Sequence, residues 1–453
     1  MVKKFSAILL SSALMLSLAA CGGNNASSEN TNASGGTASG GKKVIKILHW
    51  KQENINKAIV EINKKFEEKY PEYKVEYTTT GPNDEFIQAQ RSRITAGDVD
   101  ILADLSGMRL SPKEWTPGAK VPDWQQWIDS GLIADLSNEA FVKNYNENDI
   151  AKAGTYNDKV YAIPTGKVAM SGFFYNKQIF EENNLSVPTT WTEFINVLDT
   201  LKSKDITPIV AAGKDVWTLK MPVFGLQAKI LAGGDQEKWI EGVWKGETAF
   251  NDDSAIEVLE KMKTLQDNYF IDGFMGIDYA TAPSYFATGK AALFADGTWD
   301  APTISSLNPD LEYGYFPIPA TEDAAKNKSL VGKYDVTWYA TENGPNKEGA
   351  LKWLEFFSEP ENYTEYVKAA GFMPTQDNIT TNSDFIDKEL APYLEGGEFE
   401  LAYEILMINR NNVGEHIASE GVHTEYLAPG GGFKTAKELA DVQQKEWEAA
   451  APK

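Results

Sequence analysis

The chain has 453 residues and carries 43 Lys plus Arg against 65 Asp plus Glu, a formal net charge of −22. So acidic a surface excludes a nucleic-acid partner, because phosphate backbones demand clustered cations. Only four residues are Arg (Arg91, Arg93, Arg109 and Arg410), which argues against a strongly anionic ligand.

The chain opens with a short basic start, Lys3 and Lys4, then an apolar run from Ala7 to Leu18, then Leu18-Ala19-Ala20 ahead of Cys21, the one cysteine in the sequence. A charged start, a short apolar run and a small-residue site describe a secretory signal peptide over residues 1–20. The run is short of the ~20 apolar residues that a spanning helix needs. With a cysteine at the cleavage point the stretch resembles a bacterial lipobox, which implies a lipid on Cys21; a secretory signal that happens to hold a cysteine is the alternative. Losing Lys3 and Lys4 with the signal takes the net charge from −22 to about −24. Three scattered His and one Cys make no usual zinc set, and no cofactor is expected.

Residues 22–41 read GGNNASSENTNASGGTASGG, without an aromatic or large aliphatic residue. Residues 21–43 are therefore a lipidated Cys and flexible linker, whose twenty-residue stretch reaches roughly 25 Å at ~5–6 Å × √n. The remaining ~410 residues exceed a usual single core, so two domains are expected. No later apolar stretch reaches membrane-spanning length.

Order begins at Val44. VIKILHW reads as a strand, and Ile55, Ile59, Ile62, Phe66 and Tyr70 mark one helix face that Pro71 ends. YKVEYTTT is a second strand, Asp84 to Ala96 a helix and DVDILADLSG a third strand with its loop. That alternation predicts a parallel sheet with helices on both faces. No glycine-rich nucleotide fingerprint follows any of these strands. Further on, AMSGFFYN is strand-like, and Thr190-Trp191-Thr192-Glu193 has the spacing of a capping box. Asp205 to Ala212 reads as a short strand. Ser254-Ala255-Ile256-Glu257 is expected to open a capped helix, and GKAALFADG to form a strand ending in a loop.

Three segments resemble family 1 extracellular solute-binding proteins, the sugar-binding receptors of ABC importers, of which maltose-binding protein is a relative. The first carries Pro164, Tyr175-Asn176-Lys177, Leu185, Pro188 and Thr190-Trp191. The second carries Phe286, Gly289-Lys290, Ala291-Ala292, Gly297 and Trp299, followed by YGYFPIP from Tyr313 to Pro319. The third, WLEFFSEPENYTEYVKAAGFMPTQ, holds Gly371 and Pro374. The matches run in order from about 45 to 380; the last 75 residues match least. The resemblance implies an α/β, two-lobed periplasmic-binding-protein (type II) fold with three hinge crossings, near Ile163, Ile318 and Met373, and an interlobe ligand cleft. The expected lobes are residues 44–163 plus 318–372 and residues 164–317 plus 373–453. It further implies a monomeric, non-catalytic receptor; the anchor and tether together make it a lipoprotein on the outer face of a cell membrane and point to a single-membrane bacterium. That lipoprotein would capture a neutral sugar by hinge closure and deliver it to permease subunits. An exported carbohydrate-active hydrolase and a binding protein for another solute, such as a peptide, stay open.

A sugar needs flat rings for its C–H faces and fixed polar groups for its hydroxyls. Candidates after the first strand are His49, Trp50 and Glu53, with a core role for Trp50 as the alternative. Asp104 and Ser106 end the third strand, where a plain turn would use the same residues. Trp299 and Asp300 follow Gly297, and Trp217 is a second candidate ring. Asp335, Trp338 and Arg410 complete the set. Trp115, Trp124 and Trp127 are expected to pack helices, as are Trp239, Trp244, Phe356 and Phe357.

Overall fold

The computed structural model describes residues 41–81, 84–105, 108–377, 379–394, 399–417 and 423–452; Cys21 and Ser106 lie outside them. The first framework elements are β1 (Lys43–Trp50), α1 (Glu53–Lys69), β2 (Tyr73–Thr80), α2 (Asp84–Ala96), β3 (Ile101–Asp104), α3 (Asp123–Asp129), β4 (Ile163–Ala169) and β5 (Gly172–Asn176). Next come α4 (Trp191–Ser203), β6 (Ile209–Val210), α5 (Lys220–Ile230), α6 (Asp253–Asn268), β7 (Leu293–Phe294) and β8 (Tyr313–Pro317). The last are β9 (Leu330–Ala340), α7 (Lys347–Phe357), α8 (Pro360–Ala370), β10 (Phe399–Leu401) and α9 (Ala436–Ala449).

Two sheets organise the fold. The larger runs β10-β9-β3-β1-β2, with β4 also paired to β9. Here β1 lies parallel to β2 and to β3, while β9 closes antiparallel on β3 and on β4. Ile45, Ile47, Leu48, Ile101 and Leu102 are fully buried, as strands covered by helices on both faces must be. Helix α1 offers Ile55, Ile59, Ile62 and Phe66 to that core; Tyr70, the fifth residue of the expected face, is the residue that ends the helix. The smaller sheet runs β8-β5-β7-β6. Behind it α5 is buried along its whole length, which suits a helix apolar on nearly every side. Each sheet with its helices makes one lobe of a two-lobed α/β fold.

Strand β4 stays in the larger sheet from Ile163 to Ala169, and β5 enters the smaller at Gly172, so the chain passes over at Met170 and Ser171. It returns between Pro317 and Leu330. Lys167 and Met373 then exchange two backbone hydrogen bonds, each 2.9 Å. Hydroxyls bind this region together: Tyr363 donates to the Thr165 carbonyl at 2.9 Å and Thr375 to the Pro164 carbonyl at 2.7 Å. Among the last residues, Phe399–Leu401 pair with Leu330–Gly332 of the larger sheet, although the sequence reading groups them with the second lobe. The reason is local: β3 covers only Thr337–Ala340 of β9, which leaves the start of that strand open. Helix α9 packs instead on α6.

Two caps differ from expectation. The Thr190 hydroxyl accepts the Glu193 N–H, but the Glu193 carboxylate reaches back to Thr189, at 2.7 Å from its N–H, rather than to Thr190. Helix α6 is capped by Asp252, which accepts the Ala255 N–H at 2.8 Å, and Ser254 donates to the same carboxylate. A carboxylate two residues upstream satisfies both donors, so Ser254 is inside the helix. No helix among the described residues is long and apolar enough to cross a membrane.

Candidate functional site

A cleft of about 560 Å³ opens where residues of both lobes face each other. From the first lobe come Phe86 and Gln90 of α2, Asp104 at the end of β3, and Trp124 and Trp127 of α3. From the second come Asp215, Trp217, Trp299, and Lys220, Met221 and Phe224 of α5. Met170, at the passage between lobes, and Lys333 of β9 lie between the walls. Asp104 and Leu105 end a parallel strand, the place where open α/β sheets present ligand groups.

The second lobe's wall is aromatic. Trp217 and Trp299 have ring centroids 6.2 Å apart at 44°, and Trp217 packs on Tyr279 at 5.0 Å. Gly297 makes room for this: a Cβ there would fall 2.2 Å from the Trp299 ring. Val216, beside Trp217, has φ of 38°, a strained conformation of the kind that gathers at ligand sites. Across the cleft, the Trp124 indole N–H donates to the Arg109 carbonyl at 3.0 Å.

Charge comes from β9, from Arg109 and from the segment after β10. Lys333 Nζ lies 3.2 Å from Asp335 and 3.8 Å from Glu404, and donates to the Leu105 carbonyl at 3.1 Å. Arg109 approaches Glu404 at 4.0 Å. Burial alone would lower the Lys333 pKa, but Asp335 and Glu404 outweigh it and hold the ammonium charged. Further along, Asn409 Oδ1 and His423 Nε2 are buried with no hydrogen-bond partner among the described residues. Aromatic faces opposite fixed charged and polar groups can grip a solute that has both apolar faces and hydroxyls.

Of the residues singled out in the sequence, Asp104, Trp217 and Trp299 meet in this cleft. Asp300 lies behind its wall, accepting the Tyr279 hydroxyl at 3.1 Å, and Asp335 touches it only through Lys333. His49, Trp50 and Trp338 are instead first-lobe core: His49 stacks on Trp50 at 3.9 Å and lies 5.3 Å from Trp338. Trp50 also packs edge-on against Phe86, and Trp338 against Trp353 and Phe357, which holds these rings inside the lobe. Glu53 is exposed at the start of α1 and pairs with Lys57 at 2.7 Å. Arg410 lies over Trp447 at 4.1 Å and Trp244 at 5.1 Å, and donates to the Trp447 carbonyl, so it ties α9 down. The sequence reading missed Arg109, Lys333, Glu404, Asn409 and His423 as cleft residues, and took Trp124 and Trp127 for packing alone. The one available signal was the spacing of those two tryptophans, which puts both on one helix face.

Residues 50–364 match the family model of bacterial extracellular solute-binding proteins. The chain is 25% identical over 336 residues to the multiple sugar-binding protein of Streptococcus mutans, covering 73% of this chain and 74% of that protein. It is 24% identical over 313 residues to the melibiose/raffinose/stachyose-binding protein MelE of Bacillus subtilis, covering 66% of each. Among solved structures, RafE in complex with raffinose superposes with a TM-score of 0.71 at 22% identity, covering 89% of this chain and 99% of that one. A Bacillus licheniformis sugar transporter in complex with stachyose gives 0.71 at 18%, covering 90% and 100%.

Proposed function

Because this chain belongs to the bacterial extracellular solute-binding proteins, we propose that it captures a neutral oligosaccharide between its lobes and delivers it to the permease of an ABC importer. The observation that carries this reading is the facing of the Trp217–Trp299 wall against Asp104 and the Lys333–Glu404 charges in one cleft. Rings cover the C–H faces of a sugar, and charged groups held by one another are fixed partners for its hydroxyls. The names of the curated relatives, which include multiple-sugar and raffinose-type binders, support the substrate class.

In this reading the lobes close about Met170–Ser171, the return between Pro317 and Leu330, and the Lys167–Met373 contact. The solute bridges both lobes and favours the closed form, which docks on the permease. Cys21 carries the lipid, residues 22–41 form the tether, and the receptor stands on the outer face of the membrane as a non-catalytic monomer.

Isothermal titration calorimetry with raffinose, stachyose and shorter sugars tests the reading. Binding of at least one oligosaccharide is expected, and Trp299→Ala should weaken it roughly tenfold or more, the loss of one stacked ring. The variant should still unfold cooperatively, at a lower midpoint, because Trp299 is only 9% exposed and packs on Trp217. Unchanged affinity would remove the wall from the site, and release of smaller sugars from the mixture would replace the receptor with a hydrolase.

A further inference from the structure

Behind the aromatic wall lies a pair of carboxyl groups that ligand contact leaves unused. Asp296 and Asp300 flank Trp299 and are 0% and 3% exposed. Asp296 Oδ1 accepts the Gly297 N–H at 2.7 Å, and Asp300 Oδ1 accepts the Tyr279 hydroxyl at 3.1 Å. The Oδ2 of each is buried with no hydrogen-bond partner among the described residues. The titratable groups facing the pair are Tyr315, whose hydroxyl donates to the Asp296 carbonyl at 3.3 Å, and Tyr279. Asp215 is the next charge outward, accepting the Tyr279 backbone N–H at 2.6 Å. Among the described residues no Lys, Arg or His pairs with either carboxyl.

A carboxylate stripped of water and given no counter-charge is expensive, and a second one beside it is more so. An uncharged pair avoids both costs. Burial pushes Asp300 up to about 7, while burial and then the charge of Asp300 raise Asp296 well above the usual carboxylate range.

We propose that Asp296 and Asp300 are a neutral carboxyl pair that holds the Trp217–Tyr279–Trp299 wall in its ligand-ready geometry, with Asp300 as the positioning residue. The chain of contacts is short. Asp300 holds the Tyr279 hydroxyl, Tyr279 packs on Trp217 at 5.0 Å, and Trp217 faces Trp299 at 6.2 Å. The same turn reaches the passage between lobes, where Thr298 Oγ1 accepts the Ala169 N–H at 3.1 Å. A negative charge formed on Asp300 would therefore sit under both the stacking ring and the anchor of β4 with the Tyr279 hydroxyl as a donor but no counter-charge. Affinity is full while the pair keeps its protons and falls as pH rises through neutrality. By linkage, affinity that falls as Asp300 loses its proton requires that binding near neutral pH takes up protons.

This inference rests on the proposed sugar-binding role of the cleft. Its test is a calorimetric titration with raffinose from about pH 5.5 to 9, repeated in buffers of different ionisation heat, on the parent chain and on Asp300→Asn. The parent should lose roughly tenfold in affinity across neutrality, one pH unit of linkage, and take up a fraction of a proton on binding near pH 7. Asp300→Asn, of equal shape and never charged, should bind with an affinity that does not change with pH across this range and take up no proton. A flat parent profile, or the same fall in the variant, overturns the proposal. Near-ultraviolet circular dichroism of the free proteins separates it from the receptor reading. The tryptophan signal should change with rising pH in the parent and stay fixed in Asp300→Asn, whether or not raffinose binds. If the variant fails to fold, the parent's profile and proton uptake still decide; raffinose that never binds counts against the receptor reading for that sugar alone.

Discussion

The imidazole of His49 lies against the Trp50 ring with 3.9 Å between centroids, fully buried, its Nδ1 at 2.8 Å from the Trp50 carbonyl and its Nε2 with no hydrogen-bond partner among the described residues. Burial holds its pKa down to about 3, against ~6.5 in an open chain. The unfolded chain therefore takes up this proton first as pH falls. The stability tied to a neutral His49 is complete above the unfolded value and drains away toward the folded one, by about 2 kcal/mol at pH 5. Urea unfolding at pH 7 and pH 5 should show that loss in the parent, and His49→Phe should lack that component; an equal loss in both would assign it elsewhere. His49 also shows where single residues are illegible. A histidine next to a tryptophan at a strand end has the composition of a sugar contact, yet nothing in the sequence says which strand ends are roofed over. Trp338 misleads for the same reason. Asp104, Trp217 and Trp299 were legible because each stands beside a turn, where side chains can leave the core.

At the scale of elements, β9 is the spine: it pairs with β3, β4 and β10 in one sheet. Gly332 lies where β9 meets β4 opposite Ala169, and a Cβ there would fall 1.8 Å from the Val168 carbonyl oxygen. Backbone cannot move aside as a flexible side chain can. Gly332→Ala should therefore cost about 1–3 kcal/mol or more, read as a lower urea midpoint with an unchanged slope; parent-like stability would mean that β4 yields. Long periodic elements were readable, since α1, β2 and α2 need only the helical or strand period and a stop signal. Short ones were less so. The runs around Ile209 and Leu293 read as a short strand and a strand ending in a loop, and the ladder between them is only two residues long. The Asp252 cap was hidden behind Ser254, a residue that could have served.

For the molecule as a whole, the order of segments carried the two-lobed plan, because the motifs fall where the chain changes sheets. What the order could not carry is the return of the final residues to both lobes. Phe399–Leu401 join the larger sheet while α9 packs on α6, and both contacts link positions far apart in sequence. A ligand that binds only the folded, two-lobed chain should stabilise it by about 2.7 kcal/mol at a hundred times its Kd. Thermal melts with rising sugar should thus climb steadily with the logarithm of concentration, and a midpoint indifferent to sugars that bind in calorimetry would mean that the unfolded chain binds them too. The tryptophans are divided in a useful way. Trp124 and Trp127 on one wall and Trp217 and Trp299 on the other line the cleft, while Trp239, Trp338 and Trp353 are sealed within the lobes. A solute that displaces water from the cleft changes the surroundings of the first four and leaves the others as a constant background. The unlabelled chain is in that sense its own optical gauge: its emission should move toward the blue as the cleft fills, and replacing one wall's indoles at a time would tell which jaw feels the solute first.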